Sequence, residues 1–246
     1  LHGFDARVTV SFVEISPEMI AGARKLKPHA VAELLRTQYA GVYRLAYALS
    51  GRWDVGRGIA RFVLARSVKM MPKWKPEDDP VNWFHRFTIM MSRRSSKHTI
   101  ATQKDVLVEQ ALQPDAEYVA FIAALRHLDP QPREAFLLHH CERLNDRYCA
   151  LAMDCSTEAA DTHLNVANHA MKLVAGPRFD ALTKKLADAY MHLSPDDQTI
   201  IPAVNQVVFR KVTLRKLFHS TVLLIELAIL AGLLWGGWWV YQRVRT

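Results

Sequence analysis

Leu128-Asp129-Pro130-Gln131-Pro132-Arg133-Glu134-Ala135-Phe136-Leu137-Leu138 decides the fold. Its Asp-Pro-Gln-Pro run breaks a helical block that otherwise extends from Ala116 to about Val174, because proline lacks an N–H and clashes with the preceding turn. Gly176-Pro177 closes that block. Toward the N-terminus lies a polar linker, about Ser95 to Asp115, and before it a helix from about Val81 to Lys97. A loop with Pro72 and Pro76-Glu77-Asp78-Asp79-Pro80 precedes that helix. Residues 30–67 read as helix, with Leu34, Leu35, Val42, Leu45, Ala46, Leu49, Ile59, Phe62 and Val63 at three and four spacing. Gly51 and the Gly56 to Gly58 stretch interrupt it, which predicts two helices rather than one. Toward the C-terminus, Leu182, Leu186, Ala189, Tyr190 and Leu193 share one face of a helix over about 178–193. Ser194-Pro195-Asp196-Asp197 then reads as a fresh helix start. Alternating strand patterns and Asn-Gly hairpin signals are absent after the first twenty residues, so the body is all-α.

The 246 residues carry 32 Lys and Arg against 24 Asp and Glu, a net charge of +8. Half the residues are hydrophobic, which excludes a disordered or collagen-like chain. Three cysteines make no disulfide framework. A basic excess points to a polyanion, either nucleic acid or an anionic membrane face. The charge is divided: residues 1–100 carry +9, residues 101–204 carry −6 and residues 205–246 carry +5.

The tail explains its own share. From Leu217 to Tyr241 the chain is apolar except for His219, Ser220, Thr221 and Glu226, and a span needs roughly 20 apolar residues. Trp235, Trp238, Trp239 and Tyr241 gather where an aromatic belt would sit. Arg210, Lys211, Arg215 and Lys216 precede the segment and only Arg243 and Arg245 follow it, so the N-terminal body is expected in the cytoplasm of a bacterium. Glu226 falls about one turn inside the inner boundary. Ala228, Gly232 and Gly236 form a small-residue ladder that permits close pairing of two copies as a homodimer. The expectation is a single-pass inner-membrane anchor in contact with membrane lipid.

Two blocks of the body, Glu33 to Tyr47 with Val81 to Arg86, and Leu128 to Leu138 with Leu144 to Leu164, resemble sigma-70 factors of the extracytoplasmic-function group. Glu33-Leu34-Leu35-Arg36-Thr37-Gln38-Tyr39 with Val42-Tyr43-Arg44-Leu45-Ala46-Tyr47 resembles the opening helix of region two, and Val81-Asn82-Trp83-Phe84-His85-Arg86 its tryptophan-bearing helix. Residues 128–138 are similar to the start of region four, and Leu144 to Leu164 to its helix-turn-helix, with Asp154-Cys155-Ser156 at the turn. The resemblance implies an all-α fold of two helical domains, a region two-like bundle and a region four-like helix-turn-helix domain, plus one transmembrane helix. The boundaries are an N-terminal extension over 1–28, region two-like 29–98, linker 99–115, region four-like 116–175, helical juxtamembrane spacer 176–216, transmembrane helix 217–241 and an extracytoplasmic stub over 242–246.

The resemblance further implies a transcription initiation factor with core RNA polymerase and promoter DNA as partners. Lys73, Trp74, Lys75, Trp83, Arg86, Arg93, Arg94 and Lys97 are the candidates for nucleic-acid binding in region two, where an exposed aromatic stacks a base and cations hold phosphates. Trp74, in a loop between lysines, is expected to be exposed. In the recognition helix the candidates are Thr157, Thr162, His163, Asn165 and Asn168, although Glu158 and Asp161 repel phosphate. The polymerase-docking helix falls at Arg57, Ile59, Arg61 and Phe62. There the family's acids are missing and two positive charges stand instead, which opposes docking by charge complementarity. A second reading follows: a degenerate sigma fold acting as a membrane-tethered interaction or regulatory module, without promoter recognition. No Walker loop, GxSxG, HExxH or dinucleotide turn is present, so no enzyme is expected. No cofactor is implied, and the His and Cys residues lack metal-ligand spacing.

Overall fold

The structure, a computed structural model, describes residues 15–75, 79–95, 105–193 and 197–245, with side chains at 197–200, 215–220, 222, 223, 237 and 239–245 left aside. Helix α1, Pro17–Arg24, starts behind Ser16, whose hydroxyl accepts from the Met19 N–H at 3.1 Å. Helix α2, Pro28–Ser50, has proline in its first turn and ends at Gly51 in the left-handed conformation, φ 70°. Eleven of its residues are buried, more than one face can supply, because α2 is the central rod around which other helices pack.

Helix α3, Trp53–Met70, runs through Gly56 and Gly58 without a break, which corrects the interruption expected there. The reason at Gly56 is tertiary: a Cβ would lie 2.4 Å from Tyr47 Cδ1 and 2.9 Å from Tyr47 Cα, so glycine lets α3 lie against α2. Packing outweighs the roughly 1 kcal/mol that glycine costs a helix. Helix α4, Pro80–Ser95, closes the first lobe on α2 and α3.

The segment expected to be a polar linker holds α5, Val106–Glu109. Asp105 caps it, Val106, Leu107 and Val108 are buried, and the Tyr118 hydroxyl donates to the Leu107 carbonyl at 3.1 Å. The second lobe follows as α6 (Ala116–His127), α7 (Pro130–His140), α8 (Asp146–Met153) and α9 (Thr157–Ala175). Pro130 sits in the first turn of α7 as the sequence led one to expect. Asn145 and Ser156 cap α8 and α9, and Asp154 takes the left-handed conformation between them, φ 60°. Glycine is the usual residue for that conformation, though aspartate tolerates it.

Helix α10, Phe179–Met191, packs on α9 and α5, and α11, Asp197–Val208, lies across α2 and α3. A π-helical stretch, Phe209–Thr213, leads directly into α12, Leu214–Arg245. Among the described residues no helix is long and apolar enough to cross a membrane. Residues 1–14, 76–78 of the proline-flanked loop, 96–104 of the linker, 194–196 of the expected helix start and Thr246 lie outside the described set.

Candidate functional site

The two lobes meet along a row of ion pairs. Arg93 near the end of α4 grips Glu134 of α7 with two nitrogens, Nε to Oε1 at 2.9 Å and Nη2 to Oε2 at 2.6 Å. The same guanidinium donates to the Met153 carbonyl at the end of α8, 3.3 Å away. Glu134 is 3% exposed and Arg93 33%, and the hydrogen bonds to Glu134 raise the Arg93 pKa further. Two turns earlier, Arg86 pairs with Asp154 at 2.8 Å, in the open. Beside Arg86, His85 faces Glu142 at 3.8 Å, and Glu142 also accepts from the Tyr190 hydroxyl. Burial pushes the Glu142 carboxyl up, but His85, Tyr190 and Arg44 outweigh it and hold the carboxyl below its ordinary value.

A second contact ties the far end. Arg126 of α6 donates to Asp105 at 2.6 and 3.1 Å and to the Ala48 carbonyl in the last turn of α2. A helix leaves its final carbonyls unpaired, and here a guanidinium from the other lobe serves one of them. Gly51 makes room, since a Cβ there would lie 2.9 Å from Asp105 Oδ2.

Against this frame the candidate nucleic-acid residues of the first lobe divide. Trp74 is 4% exposed, 5.6 Å from Trp83 and 6.3 Å from Phe84 by ring centroids, so its expected exposure is corrected. The turn Met71–Lys73 folds the indole back onto α4, and its Nε1 has no partner among the described residues. Trp83 is half-buried and stacks on Phe87 at 4.9 Å, which in turn stacks on Phe62 at 6.3 Å. Arg86 and Arg93 face the second lobe. Lys73, Lys75 and Arg94 are exposed, and Lys97 lies outside the described residues.

On α3, Arg57 and Arg61 are exposed and Phe62 is 49% exposed. Ile59 is a core residue, 4% exposed, and is not available for docking. On α9, Thr157, Thr162 and Asn165 are exposed, but their polar atoms are partly engaged. Thr162 donates to the Glu158 carbonyl at 2.8 Å and Asn165 to the Asp161 carboxylate at 3.1 Å. His163 and Asn168 are half-buried, and Asn168 Oδ1 is 2.8 Å from His140 Nε2. Its own backbone N–H and the Ser156 hydroxyl hold the Glu158 carboxyl below its ordinary value, so the start of this helix is negative. On α12, Glu226, Ala228, Gly232, Gly236 and Trp238 are exposed, and the Trp239 side chain is outside the described set. Among the described residues, no three His, Cys, Asp or Glu form a metal cage.

Sequence reasoning missed Glu134, Asp105 and Arg126. The only signal was Asp154 in a turn position where glycine is usual. No protein-family model matches the chain, and no curated protein does. Among solved structures, CnrH in complex with the cytosolic domain of CnrY matches with a TM-score of 0.53 at 13% identity, over 65% of this chain and 96% of that one. The sigma factor RpoE in complex with the anti-sigma factor NepR from Bartonella quintana matches at 0.45 and 13% identity, over 59% of this chain and 96% of that one. At such identity a likeness shows the fold alone, and the fold rests on the first match. The body shares the all-helical fold of CnrH.

Proposed function

We propose that the protein is a membrane-anchored transcription initiation factor of the sigma type, drawn in a closed form. One observation carries the reading: Arg86 and Arg93, two cations that would hold promoter phosphates, are bound by Asp154 and Glu134 of the opposite lobe. Arg86 lies in the open and must give up Asp154 to meet a phosphate, whereas Arg93 is held by the buried Glu134 until the lobes part. The anchor reading rests on the sequence of α12 and on its exposed apolar side chains, with Leu224 at 64%, Leu233 at 69% and Trp235 at 69%. At 1.5 Å per residue its 32 residues extend about 48 Å.

A second reading has its own support. Arg57 and Arg61 replace acids on the docking helix, and α11 lies across α2 and α3. A protein so built serves as a membrane-tethered interaction module that no longer programs polymerase. CnrH and RpoE were each solved with a protein partner, which makes such a partner reasonable under either reading.

One experiment separates them. Core RNA polymerase is passed over the immobilised full chain and over the E134A/D154A double variant, which removes both acceptors. Retention that is weak for the parent and several-fold stronger for the open variant supports the initiation factor. Retention by neither, at moderate salt, supports the module.

A further inference from the structure

A cavity of about 530 Å³ opens between α3 and the π-helical stretch, lined by Leu26, Phe62, Ala65, Arg66, Val68, Lys69, Arg210 and Lys211. Its floor is apolar and its four polar walls are all cationic. Arg66, Lys69, Arg210 and Lys211 are exposed, and none is paired with a described carboxylate. Arg66 and Lys69 stand in the last turns of α3, where the helix dipole welcomes them. That accounts for two of the cations, while Arg210 and Lys211 belong to the basic flank of α12 and are brought beside them by the fold. Arg210 and Lys211 belong to the stretch Phe209–Thr213, where i→i+5 pairing changes the facing of a continuous helix. Such inserts are frequent at functional sites.

We infer that this cavity binds the phosphodiester headgroup of an anionic phospholipid, with the first carbons of an acyl chain on Phe62 and Leu26. Four cations around an apolar floor complement an anion that carries a hydrocarbon tail. Nucleic acid would use the cations and leave the floor without a partner. Position agrees, because Lys211 lies three residues before α12, at the level where basic clusters meet an anionic leaflet. The inference rests on the membrane-anchored reading.

The test uses the full chain in neutral detergent, titrated with dihexanoyl-phosphatidylglycerol, dihexanoyl-phosphatidylcholine, inorganic phosphate and a duplex DNA. The expected result is saturable binding of the phosphatidylglycerol, at least about tenfold tighter than the choline lipid or phosphate. R66Q/R210Q should lose at least about tenfold of that affinity, and A65F should lose it by filling the cavity with every charge kept. These positions carry no described ion pair, and an unchanged circular dichroism spectrum verifies the fold. Equal binding of both lipids, equally tight phosphate, unaltered affinity in both variants, or displacement of the lipid by the DNA overturns the inference. The anchor is read separately by flotation of proteoliposomes after an alkaline wash. A chain that washes off yet binds the short lipid defeats the anchor and keeps the site; a chain that floats and does not bind defeats the site alone.

Discussion

Replacing Arg93 with Met should loosen the junction between the lobes by a measurable amount. The substitution keeps the stem and removes three hydrogen bonds to Glu134 and one to the Met153 carbonyl. Glu134, at 3% exposure, is then a buried carboxylate without its guanidinium. Removing one partner of a fully buried pair costs about 3–5 kcal/mol. Arg93 is one-third exposed, so solvent already screens part of the attraction, and about 2–3 kcal/mol is the fairer expectation. E134Q should cost less, about 1–2 kcal/mol, because the amide still accepts from Arg93. R93M/E134Q should be no worse than R93M, which gives a coupling of about 1–2 kcal/mol. Urea unfolding of all four proteins, followed by circular dichroism at 222 nm, supplies the midpoints, and an unchanged slope validates the comparison. A coupling below about 0.5 kcal/mol would mean that the pair does not hold the lobes together, and the closed form would lose its main support.

Gly56→Ala should destabilise by about 1–3 kcal/mol because its methyl meets Tyr47, whereas Gly58→Ala, with nothing within 4 Å, should stabilise by about 1 kcal/mol; thermal melts read both, and equal effects refute the packing argument. Asn145→Ala removes the side-chain acceptor at the start of α8 and should cost about 1 kcal/mol in the same assay. The Tyr118 backbone N–H, then Arg178, hold the Asp115 carboxyl below its ordinary value. A carboxyl depressed on folding contributes stability above its ordinary pKa and loses it as pH falls through the lowered value. Melting between pH 7 and pH 2 should therefore fall less steeply in D115N than in the parent. Burial pushes the Cys149 thiol up to about 12 and the Cys141 thiol higher still, so iodoacetamide at pH 8 should label Cys155 first in the native protein and all three after denaturation. A reporter fused after Thr246 should be active only in its extracytoplasmic form, and cytoplasmic activity would overturn the topology.

The helical plan was legible because its punctuation is local. Gly51 ends a helix and the Pro80 and Pro130 clusters mark where others begin, each acting within four residues, whereas the caps Ser16, Asn145 and Ser156 were not read from the sequence. Errors came where a distant surface overrode the local signal. Gly56 was read as a break because the approach of Tyr47 is invisible in the neighbouring sequence. Val106-Leu107-Val108 is too short to show a period, so its burial needed the second lobe to be in place. Trp74 looked exposed beside its lysines, yet a single 3₁₀ turn carries its ring onto Trp83. The junction was hidden for the same reason: Glu134 lies 41 residues from Arg93, and no spacing rule couples them. Charge counted by segment did point to the first hundred residues as the cationic surface, without showing that Arg86 and Arg93 answer carboxylates of the same chain.

The contact of Arg126 with the last turn of α2 has a kinetic consequence. If the Arg93 side of the junction opens, the Arg126 side still holds the end of α2, Asp105 and α6 at one point. Opening is then a swing about a retained pivot, and the released carboxylates stay within a few nanometres of their guanidiniums. A tether of that length sets a millimolar effective concentration, so reclosure is unimolecular and does not depend on how many copies the cell contains. Any DNA or protein that keeps the lobes apart must outcompete that internal concentration, which makes the open state a property of its ligand rather than of protein abundance.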